Sequence, residues 1–163
     1  MKTILILRHG KSSWGHNQLA DHDRPLKKRG KHDAPRMGQL IYAEGVVPDA
    51  ILSSTAFRAR DTAELAAEAC GFAGEIQFRR DLYHSWPEDI FDILRSLNAD
   101  IEIAMVVSHN PGLEALLYSL TDVDEWLPTA ALAQVRVDIA TWNDLTDETE
   151  GELVNLWRPQ MLK

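Results

Sequence analysis

Cysteine is nearly missing from this chain. Cys70 is the only one in 163 residues, which excludes an intramolecular disulfide framework and a cysteine-cluster zinc site and suits a reducing, cytoplasmic setting. Long hydrophobic runs are missing too. The first, Ile4 to Leu7, stops at Arg8 and is far too short for a signal-peptide core or a membrane span, so neither export nor membrane contact is expected. Compositional bias is absent: hydrophobic residues make up 45% and charged residues 26%, which excludes disordered, collagen-like and low-complexity readings. There is no positive balance either. The 25 acidic residues outnumber the 17 Lys and Arg, for a formal charge of −8. Such a surface repels nucleic acid and anionic lipid on average, so an anion site has to be a local concentration of cations. The length fits one domain over residues 1–163.

What is present is a regular alternation. Lys2 to Leu7 reads as a buried strand broken at Gly10, and residues 11–29 as a polar loop carrying Gly15, Asn17, Asp21, Asp23 and Pro25. A first helix is expected from Gly30 to about Glu44, on Ala34, Met37, Leu40 and Ile41, with Pro35 in its first turn and Gly45 as its stop. Asp49 to Ser53 is a second strand. Ser54 or Thr55 then caps a helix to Cys70 with the stripe Thr62, Leu65, Ala66 and Ala69, closed by Gly71. Ile76 to Arg80 is a weaker strand, and Pro87 opens a helix whose Ile90, Ile93, Leu94 and Leu97 share a face. Ile103 to Val107 is the clearest buried strand, followed by a helix from Pro111 through Leu120. Two closing strands, Leu132 to Ile139 and Leu153 to Trp157, read as antiparallel. The order implies a three-layer α/β/α sandwich with a mostly parallel central sheet and an antiparallel C-terminal part.

Ligands of such sheets bind beyond the carboxyl ends of the strands, and unusual residues stand at those ends here. Strand one finishes with Arg8 and His9, strand two leads into Ser53, Ser54, Thr55 and Arg58, and the central strand finishes with Ser108 and His109, followed by Asn110. Arg58 falls in the first turn of its helix, where the dipole disfavours a cation by roughly 0.3 to 1 kcal/mol. An anion gripped between guanidinium and helix end reverses that penalty. Arg60, about 200° further around the helix, is expected at the surface. Each residue alone also has a plain structural reading: Arg8 as a solvated strand end, Arg58 as the partner of a nearby carboxylate, His9 as a satisfied buried histidine. Two histidines and two arginines at three separate strand ends favour a site that binds and attacks an oxyanion.

Competing motifs are weaker. Gly10 to Gly15 has the glycine spacing of a P-loop, but His16 and Asn17 replace the Lys and Ser or Thr required. His16, Asp21, His22, Asp23 and His32 are possible metal ligands without zinc-motif spacing, and read as a solvated polar loop. The five tryptophans are scattered, unlike a base-stacking surface.

Arg8-His9-Gly10, the run Ser53 to Glu64 containing Arg58, and Ser108-His109-Asn110-Pro111-Gly112-Leu113 together resemble the histidine phosphatase superfamily, whose fold is phosphoglycerate mutase-like. Asp23-Arg24-Pro25-Leu26 before Gly30, and Pro128-Thr129, bring the resemblance nearest to the small SixA-type phosphohistidine phosphatases. The resemblance implies His9 as phosphoryl acceptor, with Arg8, Arg58 and His109 around the phosphoryl group and Arg24 lining the pocket. Ser108 and Asn110 are further candidates for substrate binding. It implies no metal and no other cofactor.

Physically, His9 among arginines is expected to be neutral by like-charge repulsion, with its tautomer set by a backbone carbonyl of the loop after Gly10. His109, if protonated, helps hold phosphoryl oxygens. Many relatives carry a glutamate as general acid where this chain has His84, and Glu88 is the nearest carboxylate; these two are the candidate proton donors. Phosphoimidazole leaves more readily than an alkoxide, so the missing acid favours a phosphohistidine substrate. The short chain leaves few residues for an insertion over the pocket, which favours a phosphohistidine-bearing protein, with inorganic phosphate as product. The alternatives are a phosphatase for small phosphate esters and a non-catalytic phosphoprotein-binding module.

Overall fold

Short aliphatic runs between amphipathic helices leave the strands no choice but to be covered on both faces. In β1 (Lys2–Arg8), Ile4 to Leu7 are all fully buried, as expected of a strand between two helical layers. The computed structural model describes residues 1–15 and 18–162; His16, a member of the expected ligand cluster, lies outside them. After β1 the order is α1 (Lys28–Ala43), β2 (Ala50–Ser54), α2 (Phe57–Cys70), β3 (Gln77–Arg79), α3 (Pro87–Arg95), β4 (Ile103–Ser108), α4 (Gly112–Thr121), β5 (Leu132–Val137) and β6 (Gly151–Trp157). The expected sequence of elements is thus found in full.

The sheet runs β3-β2-β4-β1-β5-β6. β3, β2, β4 and β1 are parallel, whereas β5 is antiparallel to both β1 and β6. Because β1, β4 and β2 are parallel neighbours, their carboxyl ends emerge together at one edge. Arg8 is level with Ser108, and Ser53 with Val107. On one face Leu5, Leu7, Ile51, Met105 and Val107 meet Met37 and Ile41 of α1 and Ala59, Ala63 and Ala66 of α2. On the other, Ile4, Ile6, Leu52 and Val106 meet Ile90, Phe91 and Leu94 of α3 and Leu113, Leu116 and Leu117 of α4. All four α-helices are therefore committed to the faces of the sheet.

Several local expectations shift. α1 begins at Lys28, so Pro35 lies well inside it rather than in its first turn. Pro35 cannot donate to the Lys31 carbonyl, but Lys31 is on the exposed side, where water can serve that carbonyl. α2 has Ala56 at its N-cap, and Ser54 instead accepts the Ala56 amide at 3.2 Å. The buried stripe of α2 is rotated toward Ala59, Ala63, Ala67 and Cys70, leaving Leu65 and Ala69 half-buried, because the small residues let α1 come close. Gly71 closes α2 with φ of 77° as anticipated.

Closeness between α1 and α2 is extreme at Gly38, where a Cβ would stand 2.4 Å from the Ala66 carbonyl oxygen and 2.7 Å from the Ala69 Cβ. Gly38→Val is expected to force the helices apart and lower unfolding free energy by about 1–3 kcal/mol, read as a reduced urea midpoint at constant slope; an unchanged midpoint contradicts this packing.

Candidate active site

The cleft at the strand ends is built from backbone outward. Gly10, following His9, donates its amide to Thr62 Oγ1 at 2.9 Å, and that hydroxyl donates to the Arg58 carbonyl at 2.7 Å. One threonine of α2 thereby ties the end of β1 to the first turn that carries Arg58. Gly30 completes the seat, since a Cβ there would lie 2.4 Å from the Lys11 carbonyl oxygen.

His9 is 6% exposed. Its Nδ1 lies 2.7 Å from the Gly10 carbonyl oxygen, which makes Nδ1 the protonated nitrogen and leaves Nε2 with a free lone pair. The tautomer-setting carbonyl belongs to Gly10 itself, not to the loop beyond it. The His9 pKa is lowered to about 3 chiefly by burial, opposed by the Gly10 hydrogen bond, with Arg8, Arg58 and Arg24 adding like-charge repulsion. Burial rather than repulsion is thus the leading cause of neutrality. His109, whose ring centroid is 5.1 Å from that of His9, has Nε2 2.8 Å from Ser54 Oγ and a buried Nδ1 without a partner. Its pKa is lowered to about 2 by burial first, then by His9 and Arg58. The condition set on His109, that it be protonated, is disfavoured by this burial, which favours the neutral imidazole.

Arg8, Arg58 and Arg24 all stand near enough to His9 to act on its charge. Arg8 donates from Nη1 to the Leu127 carbonyl at 3.1 Å, and its buried Nε has no partner. Burial lowers its pKa, Glu114 opposes and Arg58 adds to the lowering, but a guanidinium stays charged. Arg58 is 5% exposed, with Nη1 2.7 Å from the Asp21 carbonyl oxygen, Nη2 3.0 Å from Asp21 Oδ2, and a partnerless buried Nε. Arg24 reaches Asp21 Oδ1 from Nε at 3.0 Å, under the Trp14 ring at 3.5 Å. Arg60 is at the surface, paired with Glu64.

Asp21 was read from sequence as part of a solvated loop. Here it is the carboxylate that holds Arg24 and Arg58 together, and it also accepts the Tyr83 hydroxyl at 2.5 Å. Burial alone would raise its pKa, but the Tyr83 hydrogen bond and the two arginines lower it to about 2. Tyr83, likewise unassigned from sequence, packs its ring 4.0 Å from His84, 4.9 Å from His22 and 5.6 Å from His109. The signal for Asp21 was its position three residues before Arg24, an ion-pair spacing. Nothing local marks its longer link to Arg58.

Other candidates divide. Asp21, Arg58, Tyr83, His84, Ser85, Trp86, His109 and Asn110 line a cleft of about 320 Å³. Asn110 donates from Nδ2 to the Leu127 carbonyl and accepts the Glu114 amide, so its amide braces the start of α4. Ser108 is fully buried and donates to the Leu82 carbonyl at 2.7 Å, which removes it from substrate contact. Glu88 lies in a neighbouring groove with Pro87, Asp89, Phe91 and Asp147 and does not reach the cleft. Among the described residues no group of three His, Cys, Asp or Glu side chains could hold a metal ion.

Fixed cations around a neutral imidazole with one free nitrogen define a centre for phosphoryl or related oxyanion chemistry. The histidine phosphatase superfamily (branch 1) sequence profile matches residues 4–83. An uncharacterised chloroplastic protein of Arabidopsis thaliana is 31% identical over 152 residues, covering 88% of this chain and 70% of that protein. The Agrobacterium tumefaciens protein assigned as phosphohistidine phosphatase SixA superposes with a TM-score of 0.83 at 25% identity, over 97% of this chain and 98% of that one. A mycobacterial glucosyl-3-phosphoglycerate phosphatase shares the fold at 16% identity and a TM-score of 0.70, over 96% and 98% of the two chains. The chain belongs to the histidine phosphatase superfamily, and its fold is that of the SixA proteins.

Because His9 and His109 resist protonation when folded, with pKa values near 3 and 2, their ring nitrogens are expected to keep constant NMR shifts from pH 8 to 5. The unfolded chain takes up those protons near pH 6.5. These two groups therefore cost stability as pH falls from about 6.5 toward their folded values. A midpoint near 6.5 for either ring in the native state contradicts the burial argument.

Proposed function

We propose that residues 1–163 form one catalytic domain that hydrolyses phosphohistidine through a covalent phosphohistidine on His9, in the cytoplasm and without metal. The observation that carries this reading is the buried neutral His9, its Nδ1 fixed by Gly10 and its Nε2 free among Arg8, Arg58 and Arg24. Nε2 attacks phosphorus, and the bond to the substrate nitrogen breaks. Arg8 and Arg58 hold the equatorial oxygens through a loose transition state, and neutral His109 contributes a hydrogen bond. Water then attacks phospho-His9: a P–O bond forms, the P–N bond breaks, its electron pair returns to Nε2, and the water's protons leave with inorganic phosphate and solvent.

Phosphohistidine on a protein is favoured by two features. Glu88 lines a neighbouring groove and Asp21, in the cleft, is held ionised, so among the described residues that line the cleft no carboxylic acid stands ready for an alkoxide leaving group, whereas a phosphoimidazole needs less protonic help. All four α-helices lie on the sheet, so none of them covers the cleft, and a folded carrier of a phosphorelay or phosphotransferase chain can approach. A second reading, hydrolysis of small phosphate esters, draws on the fold shared with the mycobacterial glucosyl-3-phosphoglycerate phosphatase.

A short pulse with a labelled phosphohistidine protein is expected to leave an acid-labile phosphoryl group on the wild type and on His22→Ala but none on His9→Ala. Labelling that survives His9→Ala removes the nucleophile. Binding without any turnover returns the chain to a phosphoprotein-binding module, and single-turnover rates that favour sugar phosphates select the second reading. Arg58→Ala is expected to lower kcat/KM by roughly 100-fold or more through loss of its charge-assisted hydrogen bonds.

A further inference from the structure

Asp21 is a carboxylate placed among the cations that are to grip the phosphoryl group. A carboxylate offers about four acceptor positions. Oδ2 takes the Arg58 and Tyr83 donors and Oδ1 takes one from Arg24, which leaves an acceptor position on Oδ1. The side chain is 45% exposed and lines the cleft. Its open position is therefore available to a group that enters the cleft beside Arg58, where a leaving group would sit. An ionised carboxylate with an acceptor position to spare favours a substrate that brings a positive or proton-donating group of its own.

A phosphohistidine does. The ring nitrogen not bonded to phosphorus keeps imidazole basicity and takes up a proton near pH 6.5, more readily beside a carboxylate. We propose that Asp21 accepts the N–H of the protonated phosphoimidazole ring and so selects nitrogen-linked over oxygen-linked phosphoryl groups; this rests on the phosphohistidine reading above. The step balances without a general acid. As His9 Nε2 bonds to phosphorus and the N–P bond breaks, the electron pair stays on the departing nitrogen. The proton held against Asp21 stays on the other nitrogen, and the ring leaves as neutral imidazole. The absence of a reachable Glu88 and the lowered Asp21 pKa are then two sides of one device, because the partner of an imidazolium has to remain ionised. Tyr83, whose ring packs against His22, His84 and His109 at 4.0–5.6 Å, holds its hydroxyl on Asp21 Oδ2 and leaves Oδ1 to the incoming ring. Titration of the pair is set by what faces Asp21: the Arg58 and Arg24 guanidinia, the Tyr83 hydroxyl, and the His22, His84 and His109 rings around Tyr83.

The test compares kcat/KM on a phosphohistidine-bearing peptide with that on p-nitrophenyl phosphate, using the intact chain. In the wild type, the phosphohistidine profile falls as the substrate ring loses its proton, a limb missing from the ester profile. Asp21→Asn is expected to lower the ratio of the two kcat/KM values by about tenfold or more, whereas Asp21→Glu largely restores it. A wild-type profile lacking that limb, or a ratio unchanged in Asp21→Asn with both activities falling together, overturns the inference and reduces Asp21 to a brace for Arg58. A wild type inert on the peptide but active on the ester instead overturns the phosphohistidine reading and takes this inference with it.

Discussion

Everything at this site follows from the burial of guanidinium charge beside an imidazole. Arg58 is almost wholly enclosed and Arg8 half so, and a guanidinium taken that far from bulk water strengthens its interaction with any anion in the cleft. The same enclosure lowers the pKa of His9 and His109, first by desolvation and then by the neighbouring positive charges. Neutral imidazole and concentrated positive charge thus meet on the low-dielectric floor of one cleft.

The sheet makes that concentration of charge possible. Three parallel strands end side by side, so residues about fifty positions apart in the chain meet without any long loop having to place them. Thr62 then locks two of these ends together, taking the Gly10 amide and donating to the Arg58 carbonyl. The positions of His9 and Arg58 are consequently set by one hydroxyl, and a displacement of the first turn of α2 moves both.

Much of this was readable in advance. Buried aliphatic runs ending in Arg8-His9, Ser53-Ser54 and Ser108-His109 placed the strands and their active edge, and Gly71 placed the end of α2. What escaped was long-range or three-dimensional. Asp21 looks like loop polarity until Arg58, thirty-seven residues on, and Tyr83, sixty-two residues on, are seen to converge on it. Ser108 has the right position and the wrong direction, since the alternation of a strand turns its hydroxyl to the Leu82 carbonyl. Glu88 sits on the outer side of the first turn of α3, and a helix register cannot be read finely enough from one sequence to place it. Pro35 misled because a solvent-facing carbonyl tolerates a proline that an enclosed one would not.

With α1 and α2 clamped on one side of the sheet and α3 and α4 on the other, none of these four helices folds over the cleft. In the proposed reaction, solvent would reach phospho-His9 from the same direction as the departing carrier, and its hydrolysis would need no separate gate. Discrimination would then fall to fixed charges and ring faces at the mouth, selecting during approach and not by enclosure.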